Sequence, residues 1–256
     1  SFDPATQRND IPKNITNTRI VTTNTNRFGI YAQDLISFTE KIKILVGIRW
    51  SWQESQADTN DLVKNTITEG AKRLDNAFSP KLGLVYQPTK DMSVFASYSN
   101  SFTPNTGTTV DLQPIKPSII DQYEAGIKKD FWKGILSTNI TVYQITNSNL
   151  AQTAEFKADG TTPNTDTTIK TLSGETKSKG VEIDITARPI EGLNIIAGYS
   201  YNDMRYTKTT GANGSFIEGD RVVRTPANTA NLSFFYTLQS GVLKGISFGA
   251  IGNYIG

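Results

Sequence analysis

From Ile42 to Trp52 every second residue is large and apolar: Ile42, Ile44, Val46, Ile48, Trp50 and Trp52 fall on one side of an extended chain, and Lys43, Leu45, Gly47, Arg49 and Ser51 on the other. A helix turns about 100° per residue and would scatter these positions around its axis, whereas a β-strand sorts them into two faces. The pattern recurs at Val181, Ile183, Ile185 and Ala187 against Glu182, Asp184, Thr186 and Arg188, and at Leu193, Ile195, Ala197, Tyr199 and Tyr201 against Asn194, Gly198, Ser200 and Asn202. Weaker versions run through Met92, Val94, Ala96 and Tyr98, and through Ala230, Leu232, Phe234 and Tyr236. About ten such strands are expected, each near the length that crosses a bilayer as part of a barrel. The chain is predicted to be all-β.

The stretches between strands alternate in length. Short ones are expected near Thr39 to Lys41, Pro88 to Asp91, Trp132 to Gly134, Pro189 to Gly192 and Gln239 to Gly245. Long ones are expected from about Asp58 to Ala77, Thr103 to Ser118, Gln152 to Ser173 and Tyr206 to Thr225, each rich in Thr, Asn, Asp and Gly. Long loops gathered at one end suit an antiparallel up-and-down membrane barrel, with tight turns on one side and extended loops on the other. A soluble barrel or sandwich with its apolar faces inward also fits the alternation, because period alone does not say which face meets water. Two details favour lipid. The polar faces carry Ser, Asn, Gly and small groups of opposite charge, as a wet lumen does, and aromatics gather at strand ends: Phe38, Phe131 and Trp132 beside short turns, and Trp50, Trp52 and Phe102 toward long loops.

Composition enters by exclusion. The 256 residues include no histidine and no cysteine, which removes Cys/His metal sites, thiol nucleophiles and any Ser-His-Asp triad, so the chain is read as no enzyme. Twenty-six basic against 24 acidic side chains leave a net charge of +2, and no Lys/Arg run exceeds two residues, so nucleic acid is not an expected partner. No segment approaches the roughly 18 apolar residues of a membrane-spanning helix, and the first residues lack a secretory signal. Thr, Asn and Ser exceed a quarter of the chain, which depresses helix propensity.

With Tyr31-Ala-Gln-Asp34 followed by Val46-Gly-Ile-Arg-Trp50, the sequence resembles the barrel of TonB-dependent siderophore receptors of Gram-negative outer membranes. The resemblance continues through Phe78-Ser-Pro-Lys-Leu-Gly-Leu-Val-Tyr86, Val94-Phe-Ala-Ser-Tyr-Ser-Asn-Ser-Phe-Thr-Pro104, Gln122-Tyr-Glu-Ala-Gly-Ile-Lys128, Ser178-Lys-Gly-Val-Glu-Ile-Asp184 and Thr225-Pro-Ala-Asn-Thr-Ala-Asn231. Within these phrases Gly83, Gly126 and Gly180 are expected where a strand bends or a neighbour approaches closely. The resemblance implies a 22-stranded barrel occluded by an N-terminal plug, importing ferric siderophores with energy delivered through TonB. No plug domain, TonB box or final strands are recognised in residues 1–256, which are therefore read as about ten strands from the second half of such a barrel. The implied partners are the ferric siderophore as transported ligand, the TonB complex and outer-membrane lipid, with no cofactor. Other readings are an importer of another nutrient, a porin-like channel, a surface adhesin or structural barrel, and, weakened by the absent histidine, an outer-membrane hydrolase.

Ferric siderophores are often anionic with aromatic or amide surfaces, so aromatic and cationic groups near the long loops are the ligand candidates. These are Arg49, Phe102, Tyr206, Phe216, Arg221 and Arg224, the last four on a loop whose Gly214 and Gly219 suggest flexibility. Lys43, Glu124, Lys128, Glu182, Asp184 and Arg188 are placed on lumenal faces, to pair with a plug or with one another. Asp58, Asp61, Glu69, Asp75, Asp159 and Asp166 are hard-oxygen groups in long loops, but their spacing is not that of an EF-hand, and no metal site is expected.

Overall fold

A computed structural model describes residues 17–210 and 216–256; Gly214 lies outside them. Among these residues there is no α-helix, and hence none long and apolar enough to cross a membrane. The strands are β1 (Arg19–Ser37), β2 (Ile42–Asp61), β3 (Thr66–Thr68), β4 (Arg73–Thr89), β5 (Met92–Thr103), β6 (Ser118–Phe131), β7 (Leu136–Thr153), β8 (Lys170–Ala187), β9 (Leu193–Lys208), β10 (Asn228–Thr237) and β11 (Ser247–Ile255). Ten of them pair in chain order, β1-β2-β4-β5-β6-β7-β8-β9-β10-β11, with β3 hydrogen-bonded only to β2. This is the up-and-down meander that the alternation predicts.

Contacts divide the chain into two compact units. Among the described residues, one holds 17–28 and 52–76. There β3 doubles back on β2 with Thr59 opposite Thr68, and Asp61 accepts from the amides of Val63 and Lys64 to close the turn. Arg73 and the buried Asp75 form an ion pair at 2.8 Å. This corrects the loop expected from Asp58 to Ala77: much of it is strand. Polar residues on both sides leave no period to read, while Thr favours the extended backbone.

The other unit holds residues 29–51, 77–210 and 216–256. Its register carries one parity from strand to strand. Gly83 faces Ser97, then Glu124, Tyr143, Gly180 and Asn202 in one row. The adjoining row is Leu84, Ala96, Ala125, Val142, Val181 and Tyr201. Opposite pairs point to the same side of a sheet and neighbours along a strand to opposite sides, so these rows define a polar face and an apolar face. Packing on the polar face follows a small-against-large rule. Phe95 lies opposite Gly126, Tyr143 opposite Gly180 and Phe235 opposite Gly249, each ring covering its glycine. A Cβ at Gly180 would run into the Tyr143 ring and the Tyr201 carbonyl, which is the close approach that position requires.

Among the described residues only Ile115, Ala154 and Tyr206 are buried hydrophobics. The apolar face is instead open: Val46, Ile48, Leu82, Leu84, Val94, Val142, Tyr199, Leu232 and Phe234 are all exposed. Such a continuous exposed apolar surface is not what a sheet in water presents. Several strands run to 16 residues or more, longer than the roughly 9–11 residues of a bilayer crossing, so their ends toward the long loops extend past any apolar band.

Candidate functional site

The short turns and long loops fall at opposite strand ends, as expected, with the long connections at residues 62–72, 104–117, 154–169 and 209–227. Two of these are tied together. Thr108 pairs with Ile169, its amide donating to the Thr168 carbonyl (3.1 Å) while the Lys170 amide donates to the Thr108 carbonyl (2.7 Å). A bulge in β7 leaves Asn149 in the left-handed region, where its carbonyl accepts from Asn105 Nδ2 (3.0 Å) and from the buried Ser118 Oγ (3.2 Å). Ile115 is sealed at 1% exposure within the same 104–117 loop.

Several of the loop carboxylates make local hydrogen bonds. Asp58 accepts from Gln56 and the Gly70 amide, and Asp166 from Thr168. Asp159 accepts from the Thr162 hydroxyl at 2.5 Å and from the amides of Thr161 and Thr162, which together hold its carboxyl down at about 2. A depressed folded value means that this turn is stabilised above the unfolded carboxyl range near 4 and loses that stabilisation as pH falls toward about 2. A nitroxide at position 157 is expected to be immobilised at pH 7 and to loosen across that window. With Asp159→Ala it should be mobile at every pH; a pH-independent wild-type spectrum would refute the assignment.

Six charged residues were expected on one face, and five share it by strand parity: Lys43, Glu124, Lys128, Glu182 and Asp184; Arg188 follows directly at the end of β8. They do not ion-pair with one another among the described residues. Instead Glu124 accepts from Gln122 Nε2 (2.6 Å), Asp184 from Asn139 Nδ2 (3.1 Å), Arg188 donates to Asn194 (3.0 Å), and the Lys128 ammonium stands 5.5 Å from the centre of the Phe95 ring. Amide and aromatic partners keep the charges available on the polar face. Leu45, Gly83, Ser97, Glu124, Tyr143 and Gly180 of this face, with residues of the adjoining apolar row such as Val142 and Val181, line a concavity of about 1020 Å³.

At the long-loop end of the same face, Asn147, Thr176 and Tyr206 form one row. Phe216 stacks on Tyr206 with ring centres 4.2 Å apart and planes 7° apart. The Asn147 side-chain oxygen is buried and has no hydrogen-bond partner among the described residues. Nothing in the sequence marks Asn147; its place follows only from the register.

The remaining candidates are dispersed. Arg49 lies on the polar face, donating to Ser51 Oγ (2.8 Å). Phe102 pairs with Ile119 and has the parity of Val94 and Tyr98, which places it on the apolar side. Arg221 opposes Arg205 across a β-bridge, so its guanidinium goes to the apolar side, 3.6 Å from Asp203 and donating to the Asn202 carbonyl (2.7 Å). Arg224 occupies an exposed turn in the left-handed region. The loop of Phe216 and Arg221 is strapped to β9 rather than loose: the Tyr206 amide donates to Asp220, Gly219 donates to Tyr206 and Val222 to Met204.

The family model described as TonB dependent receptor-like, beta-barrel matches residues 1–256. The metal-pseudopaline receptor of Pseudomonas aeruginosa is 29% identical over 88% of this chain and 30% of its own length. The ferrichrome outer membrane transporter/phage receptor of Escherichia coli K12 is 28% identical over 89% of the chain and 28% of its own length. The chain thus spans under a third of the length of these curated relatives. Among solved structures, the alcaligin outer membrane receptor of Bordetella pertussis superposes with a TM-score of 0.70 at 21% identity, covering 92% of this chain and 38% of that one. The ferric preacinetobactin receptor of Acinetobacter baumannii gives 0.64 at 25% identity, covering 86% and 31%.

Proposed function

The chain belongs to the TonB-dependent receptor β-barrel family, and from that membership we propose that it forms part of the wall of a Gram-negative outer-membrane barrel that imports a ferric siderophore with energy delivered through TonB. In this reading the apolar face meets lipid, the polar face lines the lumen, and the long loops open to the outside. The observation that carries it is the family match over the whole chain, joined by relatives named for ferrichrome, ferrioxamine B and pyoverdine. The polar face suits the task. Transport needs no bond-making residue, only groups that hold a ligand and let it go, and Phe216, exposed and stacked on the buried Tyr206, presents an aromatic surface at the mouth.

Deleting the gene is expected to abolish iron-limited growth on one ferric siderophore of a panel, and deleting TonB to reproduce that loss. Unchanged growth on the whole panel would refute the reading. In the whole protein at matched abundance, Phe216→Ala is expected to reduce uptake of that chelate by roughly tenfold, since losing the exposed aromatic surface of the stacked pair costs on the order of 1 kcal/mol or more. Uptake at the wild-type rate would remove this end of the polar face from the ligand path. A second reading, a chelate of a metal other than iron, is favoured by the relative named for metal-pseudopaline; uptake of non-ferric chelates in the same strains decides between them.

A further inference from the structure

The apolar face is not equally tall along the sheet. On β2 its residues run from Ile42 to Trp52, roughly 33 Å of strand at about 3.3 Å per residue. On β7 they run only from Leu136 to Val142, and on β8 from Val181 to Ala187, roughly 20 Å in each case. For strands tilted by about 40° these lengths stand roughly 25 Å and 15 Å high, and the apolar band of an outer-membrane barrel is about 25 Å tall. The face on β2 fills such a band, whereas that on β7 and β8 falls short by roughly 10 Å.

The register tells at which end the shortfall lies. Leu45 stands against Gly83, which sets Ile44 beside Leu84, and the row continues through Ala96, Ala125, Val142, Val181 and Tyr201. Rows run perpendicular to the strands. With a tilt of about 40°, each step along a row therefore climbs roughly 3 Å, close to the vertical rise of one residue, and a level line slides by about one residue per strand. The edge beside the short turns slides in this way. Its last apolar residues are Ile42, Tyr86, Met92, Phe131, Leu136, Ala187 and Leu193, which lie two, two, four, six, six, six and eight residues from the row. Lys129 interrupts this edge just short of Phe131, where Asp91 of the neighbouring turn holds it. The edge toward the long loops is not level. It stands six residues from the row at Trp50 and at Phe78, two at Tyr98 and Tyr123, and none at Val142, Val181 and Tyr201, where Gln144, Lys179 and Asp203 follow. Phe102 and Ile119 return beyond the Asn100 and Asp121 pair, but on the next three strands the following outward residues are Thr146, Lys177 and Arg205, opposite one another.

We propose that the β7–β9 flank thins the bilayer against it, drawing the leaflet on the long-loop side down by roughly 5–10 Å, so that water meets Gln144 at a level where Trp50 on β2 is still in lipid. The long stems of Lys177 and Lys179 could carry their charges upward through hydrocarbon, but Gln144, Thr146 and Asp203 have no such reach. Asp203 is moreover held in place by Arg205, whose Nε donates to both its oxygens at 3.0 Å. Deforming lipid by a few ångströms costs less than keeping these groups in hydrocarbon, so the bilayer yields. The inference rests on the lipid-facing reading of the apolar side and adds to it an uneven thickness around the wall.

The test compares positions at equal height. In the sheet order β7 is four places from β2, so the slide of one residue per strand sets Gln144 level with Trp50 and Val142 level with Ile48. Nitroxides are placed singly at these four positions of the full-length protein in bilayers, and their collisions with oxygen and with an aqueous nickel chelate are measured. Positions 48, 50 and 142 are expected to favour oxygen, and position 144 to favour nickel. Position 144 as deep in lipid as position 50, or position 50 as wet as position 144, would overturn the step while leaving the lipid-facing reading intact. Nickel access at all four would overturn that reading itself. A second measurement uses Q144L/T146V, which extends the apolar run on β7 toward the long loops. The wild type is expected to unfold roughly tenfold faster in bilayers of 18-carbon lecithin than of 12-carbon lecithin, and the variant to reduce that ratio to about threefold or less. An unchanged ratio would count against the short flank as its cause and overturn the proposal.

Discussion

An arginine at Val142 is expected to cost the whole protein about 2–4 kcal/mol of folding stability in a bilayer, the penalty for a cation near the midplane of a barrel's lipid face. Val142 sits on the apolar face of β7 between Ala125 and Val181, with Ile140 two residues along the same face, and half of its surface is open (50%). Its neighbours therefore have room for the larger side chain, and the penalty comes from taking charge out of water, not from crowding. The matching substitution on the other face is Ser200→Arg, opposite Glu182 on the polar side of β9. There the new cation gains an acidic neighbour in a wet environment, and the change should stay within about 0.5 kcal/mol. Equilibrium unfolding of both variants in the same lipid checks the contrast. Equal costs would mean that the two faces meet the same medium, and the membrane assignment would fail. The same contrast should appear at Val46, on the apolar face of β2, against Arg49 on its polar face.

Why the two faces were readable, and the strand ends were not, has one physical cause. Alternation records a difference between two environments, and it is written only where the environments differ. Ile42 to Trp52 and Val181 to Ala187 lie between unlike media, so their residues announce both strand and face. From Gln53 to Asp61 polar residues stand on both sides, and from Arg73 to Asn76 a lone Leu74 makes no period, so the extended backbone there is dictated by pairing alone. Site residues divide the same way. Lys43, Glu124, Lys128, Glu182 and Asp184 fall on one face because each sits in a strand whose period is legible. The alternation through Val94, Ala96 and Tyr98 also carries Phe102 to the apolar side, against its expected place beside the ligand. Arg221 was not legible at all: its direction depends on the register of a loop segment against β9, and no short-range pattern encodes that. Asn147 is illegible for the same reason, its place being defined only by its row.

The long loops carry the second large effect. Gly107→Ala is expected to destabilise the junction between the 104–117 and 154–169 loops by about 1–3 kcal/mol, with both loops loosening together. Gly107 has φ +102, a conformation that side chains rarely adopt, and a Cβ there would meet the Thr168 carbonyl at 2.5 Å. That carbonyl is not free to retreat. It accepts the Thr108 amide, and the next exchange in the ladder is Lys170 amide to Thr108 carbonyl. Relieving the clash therefore breaks the pairing that joins the loops, while the strands below remain hydrogen-bonded along their own ladders. Hydrogen exchange reads this directly: the amides of Thr108, Ala154 and Lys170 should exchange roughly tenfold to a hundredfold faster in the variant, and those of β6 and β7 at wild-type rates. If exchange rises in the 104–117 loop alone, the two loops are independent and the junction carries no coupling. If it rises in both, a ligand that orders one loop must order the other, because opening either one requires the same two hydrogen bonds to break.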